Sequence, residues 1–398
     1  MEAYVLDWLS LLARWLHLIV GIAWIGASLY FVFLDNHLDE PKDSTDREKG
    51  VGGELWAVHG GGFYHAQKYK IAPANLPEKL HWFKWEAYWT WMSGIFLLAL
   101  IYWYSAEIYL IDASVAGLSK PVAIGIGILV LLVGWLFYDY LCRSRAGTNE
   151  RLLTALLSVF LIVTAWGLCQ LFSGRGAYIH FGAMLGTIMV ANVRFVIIPG
   201  QKDLVQSKRE GRQPDPIHGI RGKQRSVHNT YFTLPVLFIM ISNHYAMTYN
   251  HEYNWLILLA MTLAGALIRV YFVNRHFGKA SWMPAGVAAA LLAGVAAVTV
   301  PSSPARTDSL TVVPFSDVRN VVATRCATCH AQHPVQAGFA SAPAGILLET
   351  DAQILSQAQS IYQQTVISRA MPIGNITGIT EEERTLIDHW YVTGAEAN

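Results

Sequence analysis

Long apolar runs dominate the first three quarters of the chain. Segments at roughly 8–34, 89–111, 120–141, 152–173, 177–198, 228–249, 254–274 and 283–301 carry almost no charge. Each approaches the length of about 20 residues that a helix needs to cross a bilayer core. The pattern predicts eight transmembrane helices. After residue 301 it gives way to short, mixed, polar stretches. The change falls at Pro301-Ser302-Ser303-Pro304-Ala305, where no helix continues easily. This divides the chain into an integral membrane domain (1–301), a linker (302–312) and a small tail domain (313–398). The expected fold class is all-α, a polytopic bundle of eight helices plus a small all-α tail.

The loops set an orientation. Nineteen Lys and Arg residues fall after helices 1, 3, 5 and 7, with Lys279 among them. The other loops hold two, Lys120 and Arg175. The positive-inside rule puts the basic loops in the cytoplasm and both ends of the bundle, with the tail, in the periplasm of a bacterium. The start of the chain, with Glu2 and Asp7 and no basic residue before Arg14, agrees and lacks the opening of a cleaved signal peptide.

Composition sharpens this. Hydrophobic residues make up 53% and charged residues 14%, where a soluble domain carries about 25% charge. A disordered chain is excluded. A net charge of +1 offers no footprint for nucleic acid. Two long loops stand out. Residues 35–88 are rich in Gly, His and Trp, which marks a functional loop rather than a disordered one. Residues 199–227 are basic and fit a solvated face.

The strongest chemical signal is Cys326-Ala327-Thr328-Cys329-His330, the C-x-x-C-H pattern of c-type haem attachment. Two thiols one turn apart can add to the two vinyl groups of one porphyrin, and the adjacent histidine then ligates the iron. Met371, the sole methionine of the tail, follows His330 by 41 residues and is the expected sixth ligand. The tail is therefore expected to be a cytochrome c domain with one covalent haem c, ligated by His330 and Met371. Thr380–Val392 reads as a terminal helix with three acidic residues in its first turn.

Polar groups inside membrane helices are functional candidates by default. His17, His180 and His244 share one outer depth band and are candidates to hold one or two b-type haems. On the inner side the candidates are His59, His65, His81 and His228, with His37 at the end of helix 1, Arg194 and Arg269 at matching depths, and Asp139 and Asn192 nearby. A relay across the bilayer is supplied either by a second haem or by a substrate cavity reaching deep into the bundle.

Longer stretches carry a resemblance. Arg14-Trp15-Leu16-His17-Leu18-Ile19-Val20-Gly21-Ile22-Ala23-Trp24-Ile25-Gly26-Ala27-Ser28, His180-Phe181-Gly182-Ala183-Met184-Leu185-Gly186, Ile197-Ile198-Pro199-Gly200-Gln201 and Ser242-Asn243-His244-Tyr245 are similar to bacterial membrane-bound urate oxidases, also called urate hydroxylases. With the C-x-x-C-H tail, the resemblance covers essentially the whole chain. It implies oxidation of urate to 5-hydroxyisourate in purine breakdown, with electrons passed to cytochrome c and no hydrogen peroxide formed. The implied location is the bacterial inner membrane. The implied partners are urate, the lipid bilayer, and a soluble cytochrome c or terminal oxidase as acceptor. On this reading Arg194 or Arg269 holds the urate charge, and His59, His65 or His228 moves a proton near neutral pH. Trp56, Trp82 or Trp85 stacks on the purine. Two alternatives stay open: another membrane dehydrogenase or quinol oxidase feeding haem c, and a non-enzymatic electron carrier.

Overall fold

The computed structural model describes residues 2–276, 281–300 and 313–397. The expected linker at 302–312, the stretch 301–305 and Lys279 lie outside the described residues. The chain opens with α1 (Glu2–Asn36), a one-turn α2 (Ser44–Glu48) and two strands, β1 (Val51–His59) and β2 (Gly62–Tyr69). Next come α3 (Trp85–Leu97), continued by a wide π segment over Leu98–Trp103, and the short α4 (Ala106–Tyr109). α5 (Lys120–Arg143), α6 (Glu150–Leu171) and α7 (Gly174–Asn192) follow, and a second π segment, Val193–Ile197, leads α7 into α8 (Ile198–Arg209). α9 (Pro216–Ser242), α10 (Ala246–Tyr249), α11 (Asn254–His276) and α12 (Met283–Val298) complete the first part. The tail holds α13 (Phe315–Arg325), α14 (Asp351–Ser356), α15 (Ala358–Tyr362) and α16 (Glu381–Val392).

The apolar segments fall largely on helices, with 89–111 broken at Tyr104-Ser105 and 228–249 broken at Asn243–Tyr245. Among the described residues, α1, α5, α6, continuous α7–α8 and α11 are both long and apolar enough to cross a membrane. The helices begin where the sequence offers caps. Asn149 accepts from the Leu152 amide at 3.1 Å to start α6. Ser173 accepts from Gly176 to start α7, and Asp215 accepts from Ile217 ahead of Pro216 to start α9. In the tail, Thr380 and Glu383 form a capping box on α16.

α7 is the buried centre, flanked by α5, α6 and α9. Gly182 permits this packing, because a Cβ there would lie 2.5 Å from Ile239 of α9. Gly186, its partner in the G-x-x-x-G spacing, faces open space. α1 packs mainly on α3 and leaves Trp8, Leu12, Trp15 and Ile22 exposed. The outer surface of the bundle is apolar, the reverse of a protein surface facing water.

One expectation needs correcting. The 35–88 loop contains an antiparallel hairpin, so the fold is mostly helical but not purely so. Gly60 and Gly61, both at positive φ, make the two-residue turn. Trp56 pairs with His65 across the strands, and their rings stack at 4.1 Å.

Candidate functional site

The end of α13 delivers the tail's chemistry. The Cys329 and His330 amides both donate to the Cys326 carbonyl, at 3.1 and 2.9 Å, and this turn gathers the three side chains. All three line a cavity of about 380 Å³, and Met371 lines it too. His330 Nδ1 lies 3.0 Å from the Ile346 carbonyl. A carbonyl only accepts, so Nδ1 carries the proton and Nε2 keeps its lone pair for a metal. The Met371 backbone is pinned on both sides: its amide donates to Gln364 at 3.0 Å, and Arg384 donates to its carbonyl at 3.2 Å. The residues present therefore fit a bis-thioether haem with histidine and methionine ligands. Burial pushes the Cys326 thiol up to about 12 and also raises Cys329, so both stay protonated near neutral pH in this fold.

The cavity touches the bundle. Ile108 of α4 forms part of its wall. Gly374 sits against the Ile108 and Ile111 carbonyls, and Asn250 donates to the Ser368 and Arg369 carbonyls at 3.3 and 2.9 Å. The tail is thus seated beside α4 and α10.

The membrane histidines do not converge. His180 is fully buried, with Nδ1 donating to Gly176 O at 2.8 Å and Nε2 accepting from Trp103 Nε1 at 3.1 Å. Both nitrogens are engaged, so His180 has none to offer a haem iron in this fold. His17 donates from Nδ1 to Ser93 Oγ at 3.0 Å, since the Ser93 hydroxyl is itself committed to the Trp89 carbonyl. Gly94 gives the ring room, a Cβ there lying 3.0 Å away. His244 is exposed in the turn after α9.

The candidates His59, His65, His228, Arg194 and Arg269 divide. His59 is exposed at the hairpin tip. His65 is held by Trp56 and by Glu54 Oε2 at 2.8 Å, a pairing that secures the hairpin. Arg194 is exposed and lies over the Phe195 ring at 5.8 Å. Arg269 is half-buried, with Nε and Nη2 unpaired among the described residues. His228 alone enters a buried polar network. Its Nδ1 lies 2.7 Å from the Tyr138 hydroxyl, which accepts from Asn192 Nδ2 at 3.1 Å.

Arg225 lies against the same phenol, its guanidinium 4.8 Å from the Tyr138 ring centre, and pairs with Asp139 at 2.7 Å. The expected solvated loop over 199–227 is corrected here, because helix propensity after Pro216 carries the chain on as helix through this stretch. The structure extends α9 back to Pro216 and buries Arg225 to 1% exposure.

A family model described as "Urate oxidase N-terminal" matches residues 3–300. The chain belongs to this urate oxidase N-terminal family. Comparison with curated proteins and with solved structures gave no match. The family match spans the whole bundle, including the His228 network, and ends before the C-x-x-C-H tail.

Proposed function

We propose that this chain is a membrane-embedded urate oxidase that passes electrons to a haem c on its own tail, and from there to a soluble cytochrome c or terminal oxidase. The carrying observation is the joining of a family match over residues 3–300 to a cavity lined by Cys326, Cys329, His330 and Met371. The apolar outer surface and the five long apolar helices support insertion in a bilayer. The basic loops support a cytoplasmic inner side, with the tail outside in the periplasm.

Conversion of urate to 5-hydroxyisourate adds one water at the oxidised ring carbon and releases two electrons and two protons. Cys326 and Cys329 would hold a haem c with His330 and Met371 as its ligands, and such a group would supply a high-potential one-electron acceptor. The chain's own residues prepare that place. Ile346 fixes the His330 ring and its tautomer. Gln364 and Arg384 hold the Met371 backbone against the cavity. Ile108 brings the bundle to the cavity wall, so the tail needs no excursion to meet it. With both His180 nitrogens engaged, a b-type haem in the bundle would draw on His17 or His244.

The test is an anaerobic optical spectrum of the purified protein before and after urate. Appearance of a reduced c-type band supports the proposal. Reduction by dithionite or quinol but not by urate refutes it.

A further inference from the structure

Asn192 is the last residue of α7, fully buried, at the point where the helix widens into its π segment. Such bulges often mark functional sites. Its amide orientation is fixed by a chain of partners. The Met189 carbonyl can only accept, so Asn229 must turn its Nδ2 toward it, at 2.9 Å. Asn229 Oδ1 then faces Asn192, which must answer with Nδ2, also at 2.9 Å. The second Asn192 N–H goes to Tyr138. Asn192 Oδ1 is left buried with no partner among the described residues.

Arg225 presents the complementary deficit. Nη2 is committed to Asp139, while Nε and Nη1 are buried and unpaired among the described residues. Asp139 is shared with Arg143 at 2.7 Å, so two guanidinium groups face one carboxylate and the locality keeps one net positive charge. Buried polar atoms are seldom left unpaired, so this set of one acceptor and two donors calls for a ligand. An apolar wall stands beside it: the Trp135 ring centre is 6.0 Å from the Arg225 guanidinium. A separate cavity of about 370 Å³ lies between α8 and α9, lined by Ile197 and Ser226 among others but by none of Asn192, Tyr138, Arg225 or His228.

We propose that Asn192, Arg225 and His228, grouped around Tyr138, form the subsite that holds the substrate as an anionic cyclic ureide. Asn192 Oδ1 accepts a ring N–H, and the free Arg225 donors face carbonyl or ring-nitrogen charge. Urate, a flat monoanion near neutral pH built of alternating N–H and C=O groups, matches this set. The inference rests on the reading of the chain as a urate oxidase and adds the residues that select the substrate.

The test uses the full-length haem-loaded protein, with cytochrome c reduction as the readout and urate and its four mono-N-methyl derivatives as substrates. A site built around a substrate N–H rejects the analogue that lacks it by about a hundredfold or more. The wild type is expected to reject one N-methylurate on that scale, and Asn192→Ala to lose at least about tenfold of that discrimination. Arg225→Lys is expected to raise KM about tenfold, through loss of charge-assisted bonds. An unchanged thermal unfolding midpoint of the purified protein certifies folding of the bundle, and Asn192→Ser serves if the alanine variant does not accumulate. An Asn192 variant with the wild-type methylurate pattern, together with wild-type KM in Arg225→Lys, overturns the proposal and leaves these atoms to bound water. A wild type inert toward urate instead overturns the function itself.

Discussion

Replacing Gly374 with alanine tests whether the tail's seat on the bundle governs electron arrival. Gly374 has φ +57°, and a Cβ there lies 3.1 and 3.2 Å from the carbonyl oxygens of Ile108 and Ile111. Two costs follow. The left-handed backbone costs an L-residue about 1–2 kcal/mol, and the methyl presses on two carbonyls that belong to the bundle. Overpacking of this kind costs about 1–3 kcal/mol. Gly378 separates the two terms. Its φ is +66°, yet a Cβ there meets only Arg325 Nη1 of the tail, at 3.8 Å. Gly378→Ala therefore carries the backbone strain alone. A further cost of about 1–2 kcal/mol on the seat lowers the docked fraction relative to the undocked about 5- to 30-fold. The assay is anaerobic stopped-flow reduction of the tail haem by urate, scaled to the haem that dithionite reduces. Gly374→Ala is expected to slow reduction about tenfold relative to Gly378→Ala, at equal haem content. Equal rates in the two variants would show that the seat on Ile108 and Ile111 does not control electron arrival.

Three further outcomes are expected. Cys326→Ala with Cys329→Ala abolishes haem staining on a denaturing gel, whereas Met371→Ala keeps the stain and lowers the reduction potential, read by redox titration; an unchanged potential removes Met371 as a ligand. Trp103→Phe deprives buried His180 of its donor and costs about 1–3 kcal/mol in thermal stability, with no change in any b-type spectrum; a bleached b-type band would contradict the fully engaged His180. In the tail, burial raises the Asp388 carboxyl above its ordinary value, so the folded form binds this proton more tightly than the unfolded chain. The resulting stability is present at pH below the ordinary carboxylate value and is lost as pH rises through the raised folded value. Asp388→Asn is therefore expected to raise the melting temperature at neutral pH and to leave it unchanged in acid; an equal gain at both would locate the effect elsewhere.

The long apolar helices were legible because hydrocarbon leaves a backbone little choice. Every N–H and C=O must be paired within the segment, so long uncharged runs read directly as helices. The cysteines and His330 were legible for a local reason: five consecutive residues hold the whole motif. The hairpin carried a readable signal that went unused, two runs rich in aromatics and small residues on either side of Gly60-Gly61. Helical periodicity has nothing to say about a pair of strands, and a loop rich in glycine and histidine reads first as functional.

The site around Tyr138 divides along the same line. The apolar spans, the paired thiols with their histidine, and polar residues such as His228 and Asn192 within apolar runs are written in the order of residues. It could not tell which of them were spent on one another. The depth of His180 marks it as a ligand candidate, and only the fold puts Trp103 and Gly176 on its two nitrogens. Arg225 looked like a solvated loop charge until Asp139, 86 residues away, was found against it. The free oxygen of Asn192 emerges only after Met189, Asn229 and Tyr138 have each taken their bonds, and those residues come from three helices. Whether a polar atom is satisfied is a property of the packed neighbourhood. Hydrogen-bond capacity is written in the residue type, but its balance is closed only by tertiary contacts.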